Sequence, residues 1–309
     1  MDDKIKSMID EQRQKRKFDA DNYIKEKTFK INAFFRENNL DAAVFGVSGG
    51  VDSAVTMALL SKAQEDEDSP IKKIRGIVAP IFGDGVSDQE DASYKAIKLL
   101  EEFNCEHRYT DLTDAYEGMI QCKKEGLGEK EAWTNGQMAS VLRTPMFYYQ
   151  AAILQSMGYK SLVVGTTNRD EGAYIGFFGK ASDAMVDLQP IADLHKSEVY
   201  KVAERLGVPE EIIKATPKGD VWDKRVDEAM IGAPYHFLED YLLLLEFLGE
   251  RDVKIEYFIK SVKDRFEDKE LNWIANIEKI HKTNSHKYQV GMPSHFIDVL
   301  PRKIPEGWN

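Results

Sequence analysis

The amino-acid sequence predicts an α/β protein with a doubly wound parallel sheet, flanking helices and a helical C-terminal region. Between residues 42 and 166, short apolar runs of strand length alternate with longer segments of helical periodicity, a pattern typical of consecutive β-α-β units. A glycine-rich turn joins the first of these runs to the helix that follows it. After residue 190 the predicted elements are helices, because the apolar residues there recur with helical spacing.

Each element is predicted from its apolar periodicity and from the residues that end it. The first 40 residues have helical spacing, and the predicted strands cover residues 42–47, 73–80, 105–110 and 161–166. Predicted helices between them cover residues 53–63, 89–103 and 140–157, the last of which Pro145 can kink. Later helices cover residues 197–206, 235–248 and one or two segments within 255–282, and glycine or proline ends the first two.

Composition is that of a globular protein and disfavours several functional classes. Hydrophobic residues make up 42% and charged residues 31%, and 42 Lys and Arg against 53 Asp and Glu give a net charge of −11. This charge does not favour nucleic acid or anionic lipid as partners. Two cysteines cannot form a disulfide framework. No apolar run approaches the ~18 residues of a membrane span, and the N-terminus lacks the apolar core of a signal peptide. We therefore expect a cytoplasmic protein with neither a nucleic-acid nor a membrane partner.

The most informative segment is residues 48–53, SGGVDS, between the first predicted strand and its helix. Two glycines let backbone N–H groups approach an anion closely, and the helix N-terminus favours negative charge. Ser48 and Ser53 add hydroxyl donors, and Asp52 can hold Mg²⁺. The segment lacks the Lys-Ser/Thr ending of a Walker loop, so it does not indicate an ordinary kinase or GTPase.

Residues 48–53 resemble the pyrophosphate-binding loop of the ATP pyrophosphatases, which cleave ATP between its α and β phosphates and adenylate a substrate oxygen. Further blocks in the right order resemble the NAD synthetases within that group. These blocks are residues 165–171 (GTTNRDE), 176–180 (GFFGK), 187–190 (DLQP), 194–196 (LHK), 217–220 (PKGD) and 286–287 (HK). The resemblance implies an adenine-nucleotide alpha-hydrolase-like fold, ATP as co-substrate, Mg²⁺ as cofactor and a homodimer, for which apolar helices 140–157 and 235–248 offer surfaces.

The resemblance also implies roles for individual residues. Asp52 and Glu171 would hold Mg²⁺, with Asp170 as an alternative to Glu171, and Lys196 would contact the ATP phosphates. The implied catalytic residues are Asp52, Lys180 and Lys196. The implied ATP-binding residues are Gly46, Ser48, Gly49, Gly50, Val51, Asp52, Ser53, Thr166, Lys196 and Lys218. The implied substrate-binding residues are Arg143, Lys180, Asp183, Asp187, His286 and Lys287.

Four positions depart from the family pattern. Four residues separate Glu171 from Gly176, one more than expected, and the block at residues 135–143 keeps Arg143 but lacks an earlier arginine. Lys218 stands where threonine is common, and Tyr288 stands where arginine is expected after His-Lys. Several of these positions touch substrate in the family. The sequence therefore leaves the acceptor open between nicotinic acid adenine dinucleotide, the mononucleotide acid and another carboxylate.

The predicted activity is ATP-dependent amidation of nicotinic acid adenine dinucleotide to NAD through an adenylated carboxylate, with AMP and pyrophosphate as products. The residues before the first strand are too few for a glutaminase domain and contain no cysteine nucleophile, so free ammonia or a separate chain would supply the nitrogen. We predict one synthetase domain over residues 1–309, with an N-terminal helical segment (1–40), a helical insertion (250–285) and a C-terminal segment (286–309) that closes the site.

Two rival functions are less consistent with the sequence. A tRNA-modifying ATP pyrophosphatase would favour a basic surface and paired cysteines, whereas the net charge is −11 and the chain has no CxxC. A nucleotide-binding regulator that has lost turnover would not need Ser48, Asp52, Ser53 and Lys196, all of which are present.

Overall fold

Six strands form a single parallel sheet in the order β3-β2-β1-β4-β5-β6. The computed structural model describes residues 1–82, 89–122, 126, 131–216, 226–288 and 294–302. Within them the strands are β1 Ala42–Gly46, β2 Lys73–Val78, β3 Glu106–Tyr109, β4 Ser161–Val164, β5 Leu188–Gln189 and β6 His295–Phe296. The predicted α/β class with a doubly wound parallel sheet is confirmed.

Thirteen α-helices flank this sheet or extend from it in the part of the chain that the structure describes. They are α1 Asp3–Arg16, α2 Ala20–Glu37, α3 Val51–Gln64, α4 Gln89–Glu102, α5 Thr113–Ile120, α6 Glu131–Ser156, α7 Arg169–Gly172, α8 Lys196–Arg205, α9 Glu210–Ile213, α10 Asp227–Ile231, α11 Tyr235–Gly249, α12 Ile255–Ser261 and α13 Asp268–Asn284. Among the same residues, no helix has both the length and the apolarity that a membrane span requires.

Most predicted elements lie within two residues of their observed bounds, and the exceptions have physical reasons. The four predicted strands are β1 to β4. Strands β5 and β6 contain two residues each, which is too short to give a periodic signal. Helix α6 begins at Glu131 rather than at residue 140 and continues through Pro145, because its first half has a weak apolar pattern that does not distinguish helix from loop.

Both faces of the sheet are covered, which explains why its strands are continuously apolar. In β1, the four residues of the AAVF run are fully buried. One face packs on α2, α3 and α8, and the other packs on α5 and α6. A second apolar cluster surrounds α11, which contacts α1 and α13.

Strand β1 lies at the point where the connections change direction. From β1 the chain moves outward to β2 and then to β3, and it later returns to add β4 on the other side of β1. In open parallel sheets, ligands bind at the carboxyl ends of the strands beside such a switch point. The turn after β1, residues 47–50, therefore lies where a nucleotide is expected.

Buried charges attach α2 to Asp193 and to the residues that follow β6. Lys27 of α2 lies 3.0 Å from Asp193, and both side chains are fully buried. The Lys27 ammonium also donates to the carbonyl of Ile297 at 2.8 Å, and Asp193 Oδ2 accepts from the Val299 amide at 2.7 Å. Tyr23 donates its hydroxyl to Asp193 Oδ1 at 2.8 Å. These bonds satisfy buried groups that would otherwise be costly.

Candidate active site

Residues 47–50 form the turn between β1 and α3, and glycine is required at one position in it. Gly49 has a φ of +77°, and a Cβ atom there would lie 2.7 Å from the carbonyl oxygen of Ala92. A side chain would therefore be strained and would collide with backbone. Gly50 is the N-cap residue of α3 and has no side chain to bind the first amides of the helix. Those amides remain donors for an anion.

Ser48 and Ser53 shape this turn through their hydroxyl groups. The Ser53 hydroxyl donates to the carbonyl of Gly50 at 2.9 Å, and the two hydroxyl oxygens are 3.2 Å apart. The Ser48 hydroxyl also accepts from the Gly50 amide at 3.3 Å. Because these bonds are local, they fix the turn before any ligand arrives.

Two carboxylates and one ammonium group converge beside the turn. Asp52, in the first turn of α3, contacts the ammonium group of Lys196, the first residue of α8. Glu171 Oε1 lies 3.6 Å from the same Nζ atom. The side-chain amide of Asn168 donates to Asp52 Oδ1 at 3.0 Å and to Glu171 Oε1 at 2.7 Å. One amide thus links carboxylates from two different elements.

The electrostatics of this cluster reflect its burial and its excess of negative charge. Burial raises the pKa of Glu171 to about 8; Lys196 opposes this shift, and the charges of Asp52 and Asp227 add to it. Burial lowers the pKa of the Lys196 ammonium, but Asp52 and Glu171 outweigh it, and the net shift is upward. Lys196 is therefore cationic at neutral pH, and a cation bound beside Glu171 would favour the ionised form of its carboxyl group.

Tyr235 completes the cluster from the start of α11. Its hydroxyl donates to Glu171 Oε1 at 2.9 Å, and the Lys196 ammonium lies 5.0 Å from the centre of its ring. The sequence analysis did not select Tyr235, because 64 positions separate it from Glu171. It also did not select Asn168 individually. Asn168 is the N-cap residue of α7 and accepts from the Glu171 amide at 3.1 Å, and a polar N-cap before an acidic turn is a signal that could have identified it.

The structure places Glu171, not Asp170, beside Asp52. Asp170 is fully buried, with one carboxylate oxygen 2.6 Å from His195 Nδ1 and the other accepting from the Lys196 amide at 2.7 Å. Arg169 Nε donates to His195 Nε2 at 3.2 Å, so His195 Nδ1 carries the proton. Glu239 completes a group whose ligand atoms lie within 4.8 Å of one another. Because both ring nitrogens of His195 are already bonded, this group is a hydrogen-bonded network rather than a metal centre.

A cavity of about 170 Å³ adjoins the turn at the carboxyl ends of β1, β2 and β4. Its wall includes Gly46, Ser48 and Thr166, which the sequence analysis assigned to ATP binding, together with Phe147 of α6. A Cβ atom on Gly46 would lie 2.5 Å from the Phe147 ring. Arg143 also lines the cavity and donates from Nε to the carbonyl of Ala79 at 2.9 Å. The cavity has both apolar and polar walls and lies beside an anion-binding turn. This combination suits a nucleotide, which has a base and a sugar as well as phosphates.

The residues predicted to bind the acceptor substrate differ in their surroundings. Asp183 also lines the cavity, and Oδ2 of its carboxylate accepts from the Gly179 amide at 3.1 Å. Asp187 accepts from the Val163 amide at 2.7 Å and so braces β4. Lys180 and His286 are exposed.

Two further predicted positions need separate comment. Lys287 is half-buried, and its ammonium group donates to the carbonyl of Gly176 at 2.8 Å. Lys218, which the sequence analysis assigned to ATP binding, lies outside the described residues.

The fold and this site define a nucleotide-binding protein of the adenine-nucleotide alpha-hydrolase-like class. Comparison with known families is more specific, because the NAD synthase family profile matches residues 23–291. The NH(3)-dependent NAD(+) synthetase of Carboxydothermus hydrogenoformans is 34% identical over 249 residues, which cover 80% of this chain and 91% of that protein. The enzyme of the same name from Pyrococcus horikoshii is 30% identical over 273 residues, covering 88% and 95%. The chain belongs to the NAD synthase family.

Solved structures share the fold at lower sequence identity. NMN synthetase from Francisella tularensis aligns with a TM-score of 0.69 and 24% identity, covering 88% of this chain and 97% of that one. NAD+ synthetase from Burkholderia pseudomallei aligns with a TM-score of 0.64 and 20% identity, covering 94% and 97%. At such identities the similarity concerns the fold.

Proposed function

We propose that this chain catalyses the ATP-dependent amidation of nicotinic acid adenine dinucleotide to NAD, with ammonia as the nitrogen donor. The observation that carries the proposal is the convergence of Asp52, Glu171 and Lys196 beside an anion-binding turn and a cavity of about 170 Å³. Membership of the NAD synthase family and the names of its relatives support the same reaction.

In the first step, the acceptor carboxylate attacks the α-phosphorus of ATP. A bond forms between a carboxylate oxygen and phosphorus, and the bond from this phosphorus to the bridging oxygen breaks with loss of pyrophosphate. Pyrophosphate occupies the turn of residues 48–53, where the α3 amides and the Ser48 hydroxyl donate to it, and the Ser53 hydroxyl holds the turn through the Gly50 carbonyl. Lys196 offsets the negative charge that develops on it.

Mg²⁺ is the cofactor that this donor set fits. Asp52 and Glu171 supply carboxylate oxygens on facing elements, and Mg²⁺ in phosphate sites takes one or two carboxylates plus phosphate oxygens. Burial and the nearby charge of Asp52 both raise the pKa of Glu171, and Lys196 offsets this shift only in part. When bound, Mg²⁺ supplies charge neutralisation at the phosphates.

In the second step, ammonia attacks the carbonyl carbon of the adenylated carboxylate. The new C–N bond forms as the C–O bond to AMP breaks, and a proton leaves the nitrogen. Lys180 and Asp183, with Lys287 near them, form the proposed acceptor side. They orient the acceptor carboxylate.

The mononucleotide acid is a second candidate acceptor. The observation that favours it is Tyr288, which stands where the family pattern has arginine. Its hydroxyl donates to the carbonyl of Gly172 at 2.7 Å, so this position offers no positive charge to a second acceptor phosphate.

The direct test measures AMP and pyrophosphate release from Mg·ATP and ammonium with each of the two acids. Turnover with the dinucleotide acid, and weak turnover with the mononucleotide acid, is the expected result. Preference for the mononucleotide acid would make it the substrate, and turnover with neither would overturn the proposal. Replacing ammonium with glutamine should abolish turnover unless another chain supplies ammonia.

We propose further that the chain forms a homodimer through α6. Only Glu131 and Arg143 are charged among the 26 residues of this helix, and Trp133, Val141 and Tyr149 are exposed on it. Light scattering should give twice the chain mass, and Tyr149→Glu should give monomers. Tyr94→Glu, at an equally exposed tyrosine of α4, is the matched control and should stay dimeric.

The cytoplasmic location and the absence of nucleic-acid and membrane partners stay predictions, as does the single-domain organisation.

A further inference from the structure

Residues 172–178 connect Glu171 to the segment that contains Lys180 and Asp183. This loop is short of the regular backbone bonds that helices and strands provide, and side chains bind several of its carbonyl oxygens instead. The carbonyl groups bound in this way belong to Gly172, Tyr174, Ile175, Gly176 and Phe178. Since buried carbonyls need donors, the conformation of the loop depends on where those side chains come from.

All of these donors lie on one side of the C-terminal end of α13 and of the short segment after it. This segment consists of the 3-10 turn Ser285–Lys287 and the next residue, Tyr288. Their spacing of three, three and one residues places them along one side of the helix and its extension. We call His281, Asn284, Lys287 and Tyr288 the polar face. The distances are 2.8 Å from His281 Nδ1 to Tyr174 O, 2.9 Å from Asn284 Nδ2 to Ile175 O, 2.8 Å from Lys287 Nζ to Gly176 O and 2.7 Å from the Tyr288 hydroxyl to Gly172 O.

Ring contacts and one glycine bring the loop and the polar face into close apposition. The ring of His281 stacks on Tyr174, with centroids 3.8 Å apart and planes 3° apart. Gly176 has a φ of +61°, and a Cβ atom there would lie 2.9 Å from the Cβ of Asn284. Glycine is therefore needed at residue 176 both for its backbone conformation and for this approach.

Helix α13 has its own attachment to the rest of the molecule. Glu278 Oε1 accepts from the hydroxyls of Tyr174 and Tyr241, each at 2.7 Å. Tyr241 belongs to α11, the same helix whose first residue, Tyr235, binds Glu171. The polar face is thus held at a fixed position relative to the metal-binding side of the site.

We propose that the polar face of α13 is a positioning element for the acceptor, and that it holds loop 172–178 so that Lys180 and Asp183 present correctly to the acceptor carboxylate. His281 and Asn284 are positioning residues, because they touch the loop and not the reacting atoms. Acceptor binding depends on these bonds, whereas ATP binding depends on the turn after β1. The inference rests on the proposed function and deepens it.

The principal variant is Asn284→Asp, which preserves size but replaces the donor to Ile175 with an acceptor. The KM for the dinucleotide acid should rise roughly tenfold, since one hydrogen bond to a buried carbonyl is replaced by repulsion. The KM for ATP should stay within about twofold. Thr283→Ala is the matched control, because Thr283 is exposed and its hydroxyl bonds to Lys279 O in its own helix. It should change neither constant.

A pair of His281 variants separates the hydrogen bond from the stacking contact and serves if Asn284→Asp does not fold. His281→Phe keeps a ring on Tyr174 but lacks the N–H group, whereas His281→Asn keeps a donor near Nδ1 but loses the ring. We expect His281→Phe to raise the KM for the acid about fivefold and His281→Asn to be closer to the unsubstituted protein. Equal effects of both variants would overturn the role of the hydrogen bond.

Hydrogen–deuterium exchange gives a readout that does not need turnover. Amides of residues 173–179 should exchange faster in Asn284→Asp than in Thr283→Ala, while those of residues 48–54 should not change. Unchanged exchange in the loop, or an equal rise in the KM for ATP and for the acid, would overturn the proposal. If the unsubstituted protein amidates neither acid, the proposed function fails, and the exchange result still decides whether the polar face holds the loop.

Discussion

Two groups of charged residues each include a side chain from the first turn of α8, and they differ in how fully their charges are paired. The site cluster consists of Asp52, Glu171 and Lys196, and the interior network consists of Arg16, Lys27, Asp193 and Glu198. In the interior network, Glu198 receives two bonds from Arg16, at 2.6 and 2.7 Å, and Asp193 receives bonds from Lys27, Tyr23 and two backbone amides.

In the site cluster the same residue types are short of positive charge. Two carboxylates share one ammonium group, one side-chain amide and the Tyr235 hydroxyl, and burial raises the pKa of Glu171 to about 8. A saturated network stabilises the folded chain, whereas a cluster with unmet charge is suited to bind a ligand that completes it. Burial and residue type alone therefore do not identify a functional site, and the balance of partners does.

The largest expected effect comes from breaking the interior network with Asp193→Ala. This change leaves the Lys27 ammonium fully buried without its carboxylate, which typically costs about 3–5 kcal/mol of unfolding free energy. Urea denaturation at neutral pH measures it. A loss no larger than that of a surface variant would contradict the structural role assigned to the network.

Asp52→Asn should give the reverse outcome, with lost activity and a retained fold. We expect release of AMP to fall about 100- to 1,000-fold, as when one electrostatic group is removed from an active site. The urea midpoint should change little, because Asp52 is partly exposed and Lys196 keeps Glu171 as a neighbour. Normal AMP release by this variant would remove Asp52 from the proposed metal site.

The pH dependence of stability should distinguish the two groups in the ligand-free protein. The unfolded chain ionises Glu171 near 4.5, whereas the folded chain holds that proton until about pH 8. The resulting stabilisation is complete below the unfolded pKa and is lost as the pH rises through the folded pKa. Between about pH 5 and 8, the unsubstituted protein should therefore lose stability relative to Glu171→Gln. Parallel unfolding profiles for the two proteins would show that Glu171 has an ordinary pKa.

The smallest effect is expected at an exposed ion pair. Asp21 and Arg205 lie 2.5 Å apart, but both side chains are more than half exposed. Solvent screens such pairs, so Asp21→Ala should leave the urea midpoint and the activity unchanged. Asp21→Ala is also the control for Asp193→Ala, since each substitution removes one carboxylate from an ion pair that includes a residue of α2.

Local patterns in the sequence were sufficient for much of this fold. The AAVFG run predicted β1, and SGGVDS predicted the turn and the start of α3, because strand, glycines and helix follow one another within a few residues. Asp52, Glu171 and Lys196 were selected through blocks that resemble the NAD synthetases, and the structure brings these three side chains together.

What could not be predicted depends on contacts between distant parts of the chain. Tyr235 reaches Glu171 only because α11 packs on α7, and the polar face meets its loop across more than 100 positions. For Asp187, the sequence motif and the observed contact point to different roles. Its motif resembles that of a substrate-binding residue, but its carboxylate binds the Val163 amide, and its role toward substrate stays a prediction.

The pairing of β6 with β5 has a consequence for how the protein is made. Residues 295–300 supply an edge strand, a carbonyl for Lys27 and two amides for Asp193. During synthesis, α2 emerges early, Asp193 follows later, and the backbone groups of residues 295–300 that complete the bonds of both emerge later still. A nascent chain can therefore form β1 to β4 on the ribosome, but the network around Lys27 and Asp193 is incomplete until residues 295–300 have emerged.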